Sequence, residues 1–268
     1  MNNILVIGDP HFKVSNPLES QQFHDEVLKN IKNLEKHIDF IVILGDILDT
    51  HEKIHIQPFC RAINFLKMVA TFKRTFVLIG NHDRINNNVY MTEEHPFSSL
   101  KGSIDNLIIV DKTYFEEGFC FVPYVPNGRF LEAIGDNLEG SKCFFAHQEF
   151  LGCKMGGIIS ENGDEWDEKF PPVFSGHIHD HQIPQKNIIY TGTMNISEFK
   201  DYRIPKNCLL KIGFIGDPVL IKKILETKEI KSRIDKNKIK YRIIDKGAKK
   251  IINNGKTNNF FENLRKRI

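Results

Sequence analysis

The chain has 268 residues, 41% of them apolar, and its 37 lysines and arginines nearly balance 34 acids to give a net charge of +3. This composition supports a sizeable core and excludes a transmembrane protein, because no stretch approaches the roughly 18–20 consecutive apolar residues that span a bilayer. Five cysteines, an odd number without a C-x-x-C pair, exclude a disulfide scaffold and predict reduced thiols in a cytoplasmic protein.

The segment from Met1 to Gly80 alternates between short apolar runs and stretches of helical periodicity. Strands are predicted at residues 4–8, 40–44 and 75–79, and helices at residues 18–37 and 58–72. The first apolar run is too short for a signal peptide, which needs a longer apolar segment and a cleavage site. Continuous apolar strands in β-α-β-α-β order are typical of a parallel sheet that is covered by helices.

The second half of the chain is richer in strands and poorer in helices. Strands are predicted at residues 107–110, 118–122, 142–146, 173–175, 187–190 and 208–214. One short helix is predicted within residues 126–138, and we expect two sheets packed face to face with helices outside. Residues 152–170 contain four glycines and a group of acids around Trp166, so they are predicted to form a mobile loop over the functional site rather than a strand.

Five short polar motifs each follow the end of a strand-like run. They are Asp9-Pro10-His11, Gly45-Asp46-Ile47-Leu48-Asp49, Gly80-Asn81-His82-Asp83, His147 and Gly176-His177-Ile178-His179. In open α/β sheets ligands bind at the carboxyl ends of the strands, so these side chains are expected to converge. Carboxylate, amide and imidazole groups are a ligand mixture that suits Mn, Fe or Zn. Two such cations about 3.5–4 Å apart can hold the attacking and leaving oxygens of a phosphate ester.

The spacing within the motifs supports metal binding. Asp9 and His11 are two positions apart, as are His177 and His179, so each pair would face the same way on an extended strand. A single histidine is usually an ordinary surface or loop residue, and the decisive observation is that five motifs occur in this order. His95 lies in a polar stretch without a leading strand and is not predicted to be a ligand.

The pattern D-x-H, G-D-x-x-D, G-N-H-D, H and G-H-x-H resembles that of the calcineurin-like metallophosphoesterase superfamily, over roughly residues 1–199. The resemblance implies an α/β fold, a four-layer α-β-β-α sandwich of two mixed sheets. It also implies two divalent cations, with Mn preferred and Fe or Zn as the alternatives. The first cation would be held by Asp9, His11, Asp46 and His179, and the second by Asp46, Asn81, His147 and His177.

The same resemblance implies the catalytic groups. A hydroxide that bridges the two metals would be the nucleophile, because the metals lower its pKa. His82 would contact the scissile phosphate and stabilise or protonate the leaving oxygen rather than bind metal. Asp49 would orient His82 and hold it cationic, and Asp83 would bond the backbone of its own loop.

Within that superfamily the sequence looks most like the SbcD-type nuclease subunits of double-strand-break repair exonucleases and their small phage and viral relatives. The residues that carry this resemblance are Phe121-Val122-Pro123-Tyr124-Val125-Pro126, residues 175–182 and residues 187–193. It implies a DNA exonuclease or endonuclease that hydrolyses phosphodiester bonds, with nucleic acid as its partner. It also implies a coiled-coil ATPase subunit as a further partner and allows a homodimer, and no membrane partner is expected.

The charge is distributed unevenly along the chain. A catalytic domain is predicted over residues 1–220 and a basic tail over residues 221–268. The tail contains 16 lysines and arginines against 5 acids, a net charge of +11, whereas the predicted catalytic domain contains 21 against 29, a net charge of −8. This asymmetry predicts an anionic partner, either nucleic acid or an acidic protein face, and a solvated, partly disordered end is the alternative.

Two other functions remain open from the sequence. A phosphomonoesterase or nucleotide phosphatase, acting on a small molecule or a phosphoprotein, uses the same metal site beneath a different pocket. A non-catalytic, metal-stabilised binding module is the third candidate, although such a protein gains nothing from His82 beside a full ligand set. Hydrolysis of phosphodiesters, of monoesters or of neither distinguishes the three.

Overall fold

The computed structural model describes residues 3–15, 17–193, 211–215 and 240–244 of the chain. A first sheet contains four strands in sequential order: β1 (Ile4–Ile7), β2 (Phe40–Ile43), β3 (Thr75–Leu78) and β4 (Leu107–Val110). All three strand pairs of this sheet are parallel. The β-α-β-α-β order predicted for the segment that ends at Gly80 is therefore confirmed.

Two helices cover the outer face of the first sheet. They are α1 (Pro17–Leu34), which is followed by a 3-10 turn at Glu35–His37, and α2 (Ile56–Phe72). Val27 and Ile31 of α1 are four residues apart and both are buried, as are Phe65, Leu66 and Val69 of α2. These side chains pack with alternate strand residues in the first of three apolar clusters.

The second sheet is larger and mixed. In chain order the remaining strands of residues 3–193 are β5 (Tyr114–Glu116), β6 (Phe119–Val122), β7 (Cys143–Ala146), β8 (Lys154–Met155), β9 (Ile158–Ile159), β10 (Val173–Ser175), β11 (Gln182–Gln185) and β12 (Ile188–Tyr190). The sheet has the order β11-β12-β10-β7-β6-β5, with parallel pairs at its centre and antiparallel pairs at both edges. Strands β8 and β9 form a separate hairpin.

The two sheets pack face to face through aromatic side chains. Phe76 of β3 stacks on Phe121 of β6, with ring centroids 4.1 Å apart and planes inclined by 13°. Phe121 also stacks on Phe145 of β7 at 5.3 Å. The neighbouring residue Phe144 points to the opposite face, as the two-residue period of a strand requires.

The outer face of the second sheet is covered by a thinner layer. It contains α3 (Phe130–Ile134), a 3-10 turn at Gly135–Leu138 and the segment that holds Trp166. The Trp166 ring is only 4% exposed and packs edge-on against Phe130 and Phe144. The four-layer α-β-β-α fold is thus confirmed. The prediction for residues 152–170 is wrong in two respects, since they contain the β8–β9 hairpin and Trp166 lies in this outer core.

A separate unit follows. The chain divides into Met1–Met194 and Asn195–Ile268, and in the second unit β13 (Lys211–Ile215) pairs in parallel with β14 (Lys240–Ile244). The predicted domain boundary at residues 220 and 221 and most of the predicted basic tail lie outside the described residues, so both stay predictions. Among the helices that the structure describes, none is long and apolar enough to cross a membrane.

The aromatic stack between the sheets predicts a large stability effect. Replacing Phe121→Ala removes the ring that joins β3 to β7, and the free energy of unfolding should fall by about 3–5 kcal/mol because a cavity remains. Phe115→Ala on β5 is the matched control, since that ring is 42% exposed, and it should cost less than about 1 kcal/mol. Urea titration of both variants measures the difference, and equal losses would show that the sheets do not depend on this stack.

Candidate metal centre

The seven predicted ligand residues all follow the carboxyl ends of strands. Asp9 and His11 follow β1, Asp46 follows β2, Asn81 follows β3, His147 follows β7, and His177 and His179 follow β10. The strands concerned run parallel within each sheet, so their carboxyl ends meet at one edge. The two edges are joined where the His147 ring, from the second sheet, donates a hydrogen bond to the main-chain carbonyl of Leu44, from the first.

Asp9, His11 and His179 form a first cluster. One ligand atom from each of the three residues lies within 4.8 Å of the other two. The Nε2 atoms of His11 and His179 are 3.0 Å apart, a spacing that suits two nitrogens bound about 2.1 Å from one cation at a right angle. The main-chain N–H of His177 donates to Asp9 Oδ2 at 2.9 Å and fixes that carboxylate.

Asp46, His147 and His177 form a second cluster, whose ligand atoms also lie within 4.8 Å of one another. The amide oxygen of Asn81 belongs to it, since Oδ1 is 2.9 Å from His147 Nε2 and 2.9 Å from His177 Nδ1. The cluster therefore combines a carboxylate, an amide oxygen and two imidazoles. This is the donor mixture that the sequence predicted for a borderline cation.

The carboxylate of Asp46 lies between the two clusters. Its Oδ1 is 3.3 Å from His147 Nε2 in the second cluster, and its Oδ2 is 3.7 Å from His11 Nε2 in the first. Asp46 Oδ1 also accepts the main-chain N–H of His82 at 2.9 Å. One oxygen of Asp46 thus faces each cluster, as a carboxylate that bridges two cations requires.

The orientation of His147 is set by the main chain. Its Nδ1 is 2.7 Å from the carbonyl oxygen of Leu44. A carbonyl oxygen can only accept, so Nδ1 donates and Nε2, the nitrogen from which a cation would displace a proton, is directed towards Asp46 and Asn81. Metal-binding histidines characteristically donate their second ring N–H to such a partner, which fixes the tautomer.

The loops that carry the ligands are strained and tightly packed. His11, Asp46 and His177 have φ angles of 43°, 48° and 75°, in the left-handed region that non-glycine residues rarely adopt. A Cβ atom at Gly80 would lie 2.3 Å from Asp46 Oδ1, and one at Gly176 would lie 2.3 Å from Asp9 Oδ1. Only glycine fits at these two positions, which explains the glycines that begin two of the motifs.

The pKa values of the buried acids and histidines in the site are shifted by burial and by their charged neighbours. Burial raises the pKa of Asp9 to about 7 and lowers that of His11 to about 3. Burial alone would also raise the pKa of Asp46, but the neighbouring His147 holds it well below its usual range. Burial disfavours a charged His147, yet the Asp46 carboxylate raises its pKa to about 9.

The residues present fit a bound metal. Asp9 Oδ1 is buried without a hydrogen-bond partner among the described residues, and so is His11 Nδ1. A buried carboxylate oxygen is costly unless a positive partner neutralises it. Each cluster contains one buried aspartate, Asp9 in the first and Asp46 in the second, with imidazole nitrogens beside it. A divalent cation in each cluster would neutralise the carboxylate there.

His82 lies beside the clusters without belonging to either of them. Its Nδ1 is 2.8 Å from the main-chain carbonyl of Asp49, so Nδ1 donates and Nε2 is left facing Asp46 Oδ2 at 3.9 Å. The ring also stacks on His51, with centroids 4.2 Å apart. The predicted carboxylate contact from Asp49 to His82 is replaced by this carbonyl contact, and Asp49 Oδ1 instead lies 3.6 Å from His11 Nδ1.

Asp83 ties two of the motifs together. Its carboxylate accepts the main-chain N–H groups of Ile47, Leu48 and Gly80 at 2.9–3.1 Å. The predicted backbone-bonding role is therefore confirmed, and it extends to the Asp46 loop as well as to its own. Burial and the nearby Asp46 carboxylate raise the pKa of Asp83 to about 7.

Several supporting residues were not predicted from the sequence. Gln148, directly after His147, is fully buried and donates to Asp164 Oδ2 at 2.7 Å. Asp164 also accepts the main-chain N–H of Phe130, so the segment predicted as a loop anchors the strand that carries His147. His95 belongs to neither cluster, as predicted, and its Nε2 lies 3.0 Å from the Asp111 carboxylate instead.

Comparison with known proteins agrees with this geometry. Residues 3–181 match the family model described as calcineurin-like phosphoesterase. The chain is 43% identical over 242 residues to the provisionally named phosphoesterase 244L of Invertebrate iridescent virus 6, which covers 85% of this chain and 84% of the relative. It is 41% identical over 256 residues to the provisionally named phosphoesterase 078R of Invertebrate iridescent virus 3, covering 92% of this chain and 71% of the relative.

Among solved structures, the chain is similar to that of the nuclease MPE of Pseudomonas putida, at 16% identity and a TM-score of 0.33. That match covers 69% of this chain and 66% of the nuclease chain, slightly less than two thirds of its length.

Metal binding is predicted to release protons. With a pKa of about 9, His147 is protonated at pH 7 in the metal-free protein, and a cation must displace that proton. The affinity for Mn²⁺ should therefore rise from pH 6 to about pH 9, and calorimetry in buffers of different ionisation enthalpy should detect the released protons. In the metal-free state the raised pKa stabilises the fold below about pH 6.5, and this contribution is lost as the pH rises through about 9.

The exposed His37 provides the control for this measurement. His37→Gln should leave both the Mn²⁺ affinity and the number of released protons unchanged, whereas His147→Asn should weaken binding and reduce proton release. An affinity that does not vary between pH 6 and pH 9 would contradict the assignment of His147 as a ligand.

Proposed function

This chain belongs to the calcineurin-like phosphoesterase family and is a metallophosphoesterase, and from that premise we propose that it is a nuclease that hydrolyses the phosphodiester bonds of DNA. The observation that carries the choice of substrate is the charge asymmetry of the chain. Residues 221–268 have a net charge of +11, and the part of the chain before them has a net charge of −8. A basic segment attached to an acidic catalytic body suits a polyanionic substrate that extends beyond the site.

The proposal assigns the metal ligands by cluster. Asp9, His11, Asp46 and His179 would hold one divalent cation, and Asp46, Asn81, His147 and His177 would hold the other. When bound, the two cations supply Lewis acidity towards the phosphate ester and lower the pKa of water. Mn²⁺ suits the mixture of oxygen and imidazole donors, with Fe or Zn as the alternatives. Reconstitution of metal-free protein with each ion in turn identifies the one that restores turnover.

His82 is assigned the acid–base role. Its ring is 27% exposed, so a substrate can reach Nε2, and the Asp49 carbonyl keeps the other nitrogen protonated. From this position the imidazolium form of His82 can donate a hydrogen bond or a proton from Nε2 to the leaving oxygen, which leaves the ring neutral with its remaining proton on Nδ1. The stacked ring of His51 limits rotation of His82 and keeps Nε2 directed at the clusters.

The subfamily assignment belongs to the same proposal. The SbcD-type resemblance rests on residues 121–126, 175–182 and 187–193, and within the first of these segments Tyr124 lies close to the site, 5.8 Å from the His177 ring. The coiled-coil ATPase partner, the homodimer and the cytoplasmic location stay predictions.

The different roles of Asp46 in metal binding and of His82 in acid–base catalysis can be tested with a small diester such as bis(4-nitrophenyl) phosphate. Asp46→Ala should lose bound metal and most turnover, because both clusters share this carboxylate. His82→Gln should retain two metals by elemental analysis while turnover falls on the order of 10²-fold or more, the scale of a lost acid–base group. If His82→Gln also loses metal, His82 is a ligand and the acid–base assignment is wrong.

Substitutions in the basic tail test whether the substrate is nucleic acid. Replacing Arg265, Lys266 and Arg267 by Gln should weaken DNA binding and reduce the slope of log K against log salt by about 0.7–0.9 for each lost phosphate contact. Turnover of the small diester should not change, because the motif residues are intact. A protein that hydrolyses phosphomonoesters but leaves DNA strands uncut would instead be a phosphatase, and the nuclease proposal would then fail.

A further inference from the structure

A cavity of about 210 Å³ lies beside the metal centre, between the segment that follows β1 and the segment that joins β2 to α2. Its floor is apolar and buried, and is formed by Phe12, Leu48 and Pro58. Phe12 and Leu48 pair as an isolated parallel bridge, with the N–H of Phe12 donating to the carbonyl of Ile47 at 2.8 Å. This bridge joins the segment after β1 to the segment after β2 and fixes the two sides of the floor relative to each other.

The rim of the cavity is rich in hydrogen-bond donors. It is lined by Lys13, Ser15, Thr50, Lys53 and His55, with Asp49 as its one acid. Neither Lys13 nor Lys53 forms an ion pair with any residue that the structure describes, whereas Lys101, Lys112 and Lys186 each do. Two ammonium groups that line the same cavity without an ion pair among the described residues favour an anionic ligand.

The cavity shares a wall with the metal centre. Asp49 lines the cavity, and its carboxylate lies 3.6 Å from His11 Nδ1. The carbonyl of the same residue accepts the hydrogen bond from His82. A ligand in the cavity is therefore next to a phosphate held at the clusters.

The size of the cavity limits what it can bind. Pockets for whole drug-sized ligands have volumes of roughly 300–1,000 Å³, and about 210 Å³ is less than that range. The cavity is therefore smaller than a pocket for a whole nucleotide, and its apolar floor and cationic rim match the two parts of one sugar–phosphate unit. A free nucleotide would be only partly enclosed, whereas a continuous strand can place one unit here and continue outwards.

We propose that this cavity binds the sugar–phosphate unit next to the scissile bond of a nucleic-acid strand, and that Lys13 and Lys53 bind the flanking phosphate. The inference rests on the proposed nuclease function and specifies how the enzyme prefers a polymer to a small diester. The preference arises because the flanking phosphate adds contacts that a substrate with a single phosphate cannot make.

The experiment uses the full chain and the double variant Lys13→Gln/Lys53→Gln. The matched control is Lys29→Gln/Lys67→Gln, which removes the same charge from exposed positions of α1 and α2 that do not line the cavity. Each protein is assayed with Mn²⁺ on an oligothymidylate and on bis(4-nitrophenyl) phosphate. We expect kcat/KM on the oligonucleotide to fall on the order of 10-fold or more in the cavity variant alone. Turnover of the small diester should stay within about twofold in all three proteins, because bis(4-nitrophenyl) phosphate has no flanking phosphate.

A second series changes the substrate instead of the protein. Oligonucleotides with one neutral methylphosphonate on either side of the cleaved bond remove the charge of a single flanking phosphate. In the native protein one of these positions should reduce kcat/KM about as much as the lysine substitutions do. Combining the lysine variant with that substrate should cause little further loss, because the two changes remove one and the same contact.

The outcomes separate this inference from the proposed function on which it rests. The proposed role of the cavity is supported if the lysine substitutions lower kcat/KM on the oligonucleotide alone and if their effect is not additive with that of the methylphosphonate. Equal oligonucleotide activity in the cavity variant and the control contradicts the proposed role of the cavity, and so do fully additive effects of the lysine and methylphosphonate changes. The nuclease assignment stands in both cases. Absence of oligonucleotide cleavage by the native protein, with small diesters still hydrolysed, overturns the nuclease proposal and the cavity with it.

Discussion

The buried carboxylate of Asp46 lies between ligand atoms that come from two separate sheets. The rest of the site is arranged to hold it in that position. The Asp46 backbone adopts a left-handed conformation that turns the side chain towards both clusters. Gly80 packs so closely against it that no side chain fits there. Asp83 fastens the two loops together through three main-chain N–H groups. The left-handed backbone and the burial of the charge cost stability locally, and the close packing and the hydrogen bonds of Asp83 fix a carboxylate that would otherwise be hydrated.

Packing between the two sheets offsets this local loss of stability. The aromatic contacts of Phe76, Phe121 and Phe145 fix the position of one sheet relative to the other. That relative position determines whether the His147 ring reaches the carbonyl of Leu44. The same contact selects the tautomer of His147 and so decides which nitrogen faces the cations. Packing far from the chemistry thus sets distances of about 3 Å at the centre.

Much of this arrangement could be predicted from the sequence, because apolar strands and the motifs after them are local signals. The ligand residues come together, and the strands of the first sheet end within a residue of their predicted positions. Strand β11 could not be predicted, since its polar residues at the sheet edge show no apolar pattern. The position of Trp166 was missed for a related reason: its neighbours in sequence are acids, whereas its neighbours in space are Phe130 and Phe144. Contacts of this kind depend on tertiary packing, which single-sequence patterns do not report.

The hydrogen bond from His82 to residue 49 is made by the main chain, and this makes it robust to mutation. The side chain at position 49 can change without removing the carbonyl that keeps Nδ1 of His82 protonated. Alanine scanning would therefore overlook a contact on which the acid–base group depends. The conformation of the loop, which places this carbonyl, therefore fixes the orientation of the His82 ring independently of the side chain at position 49.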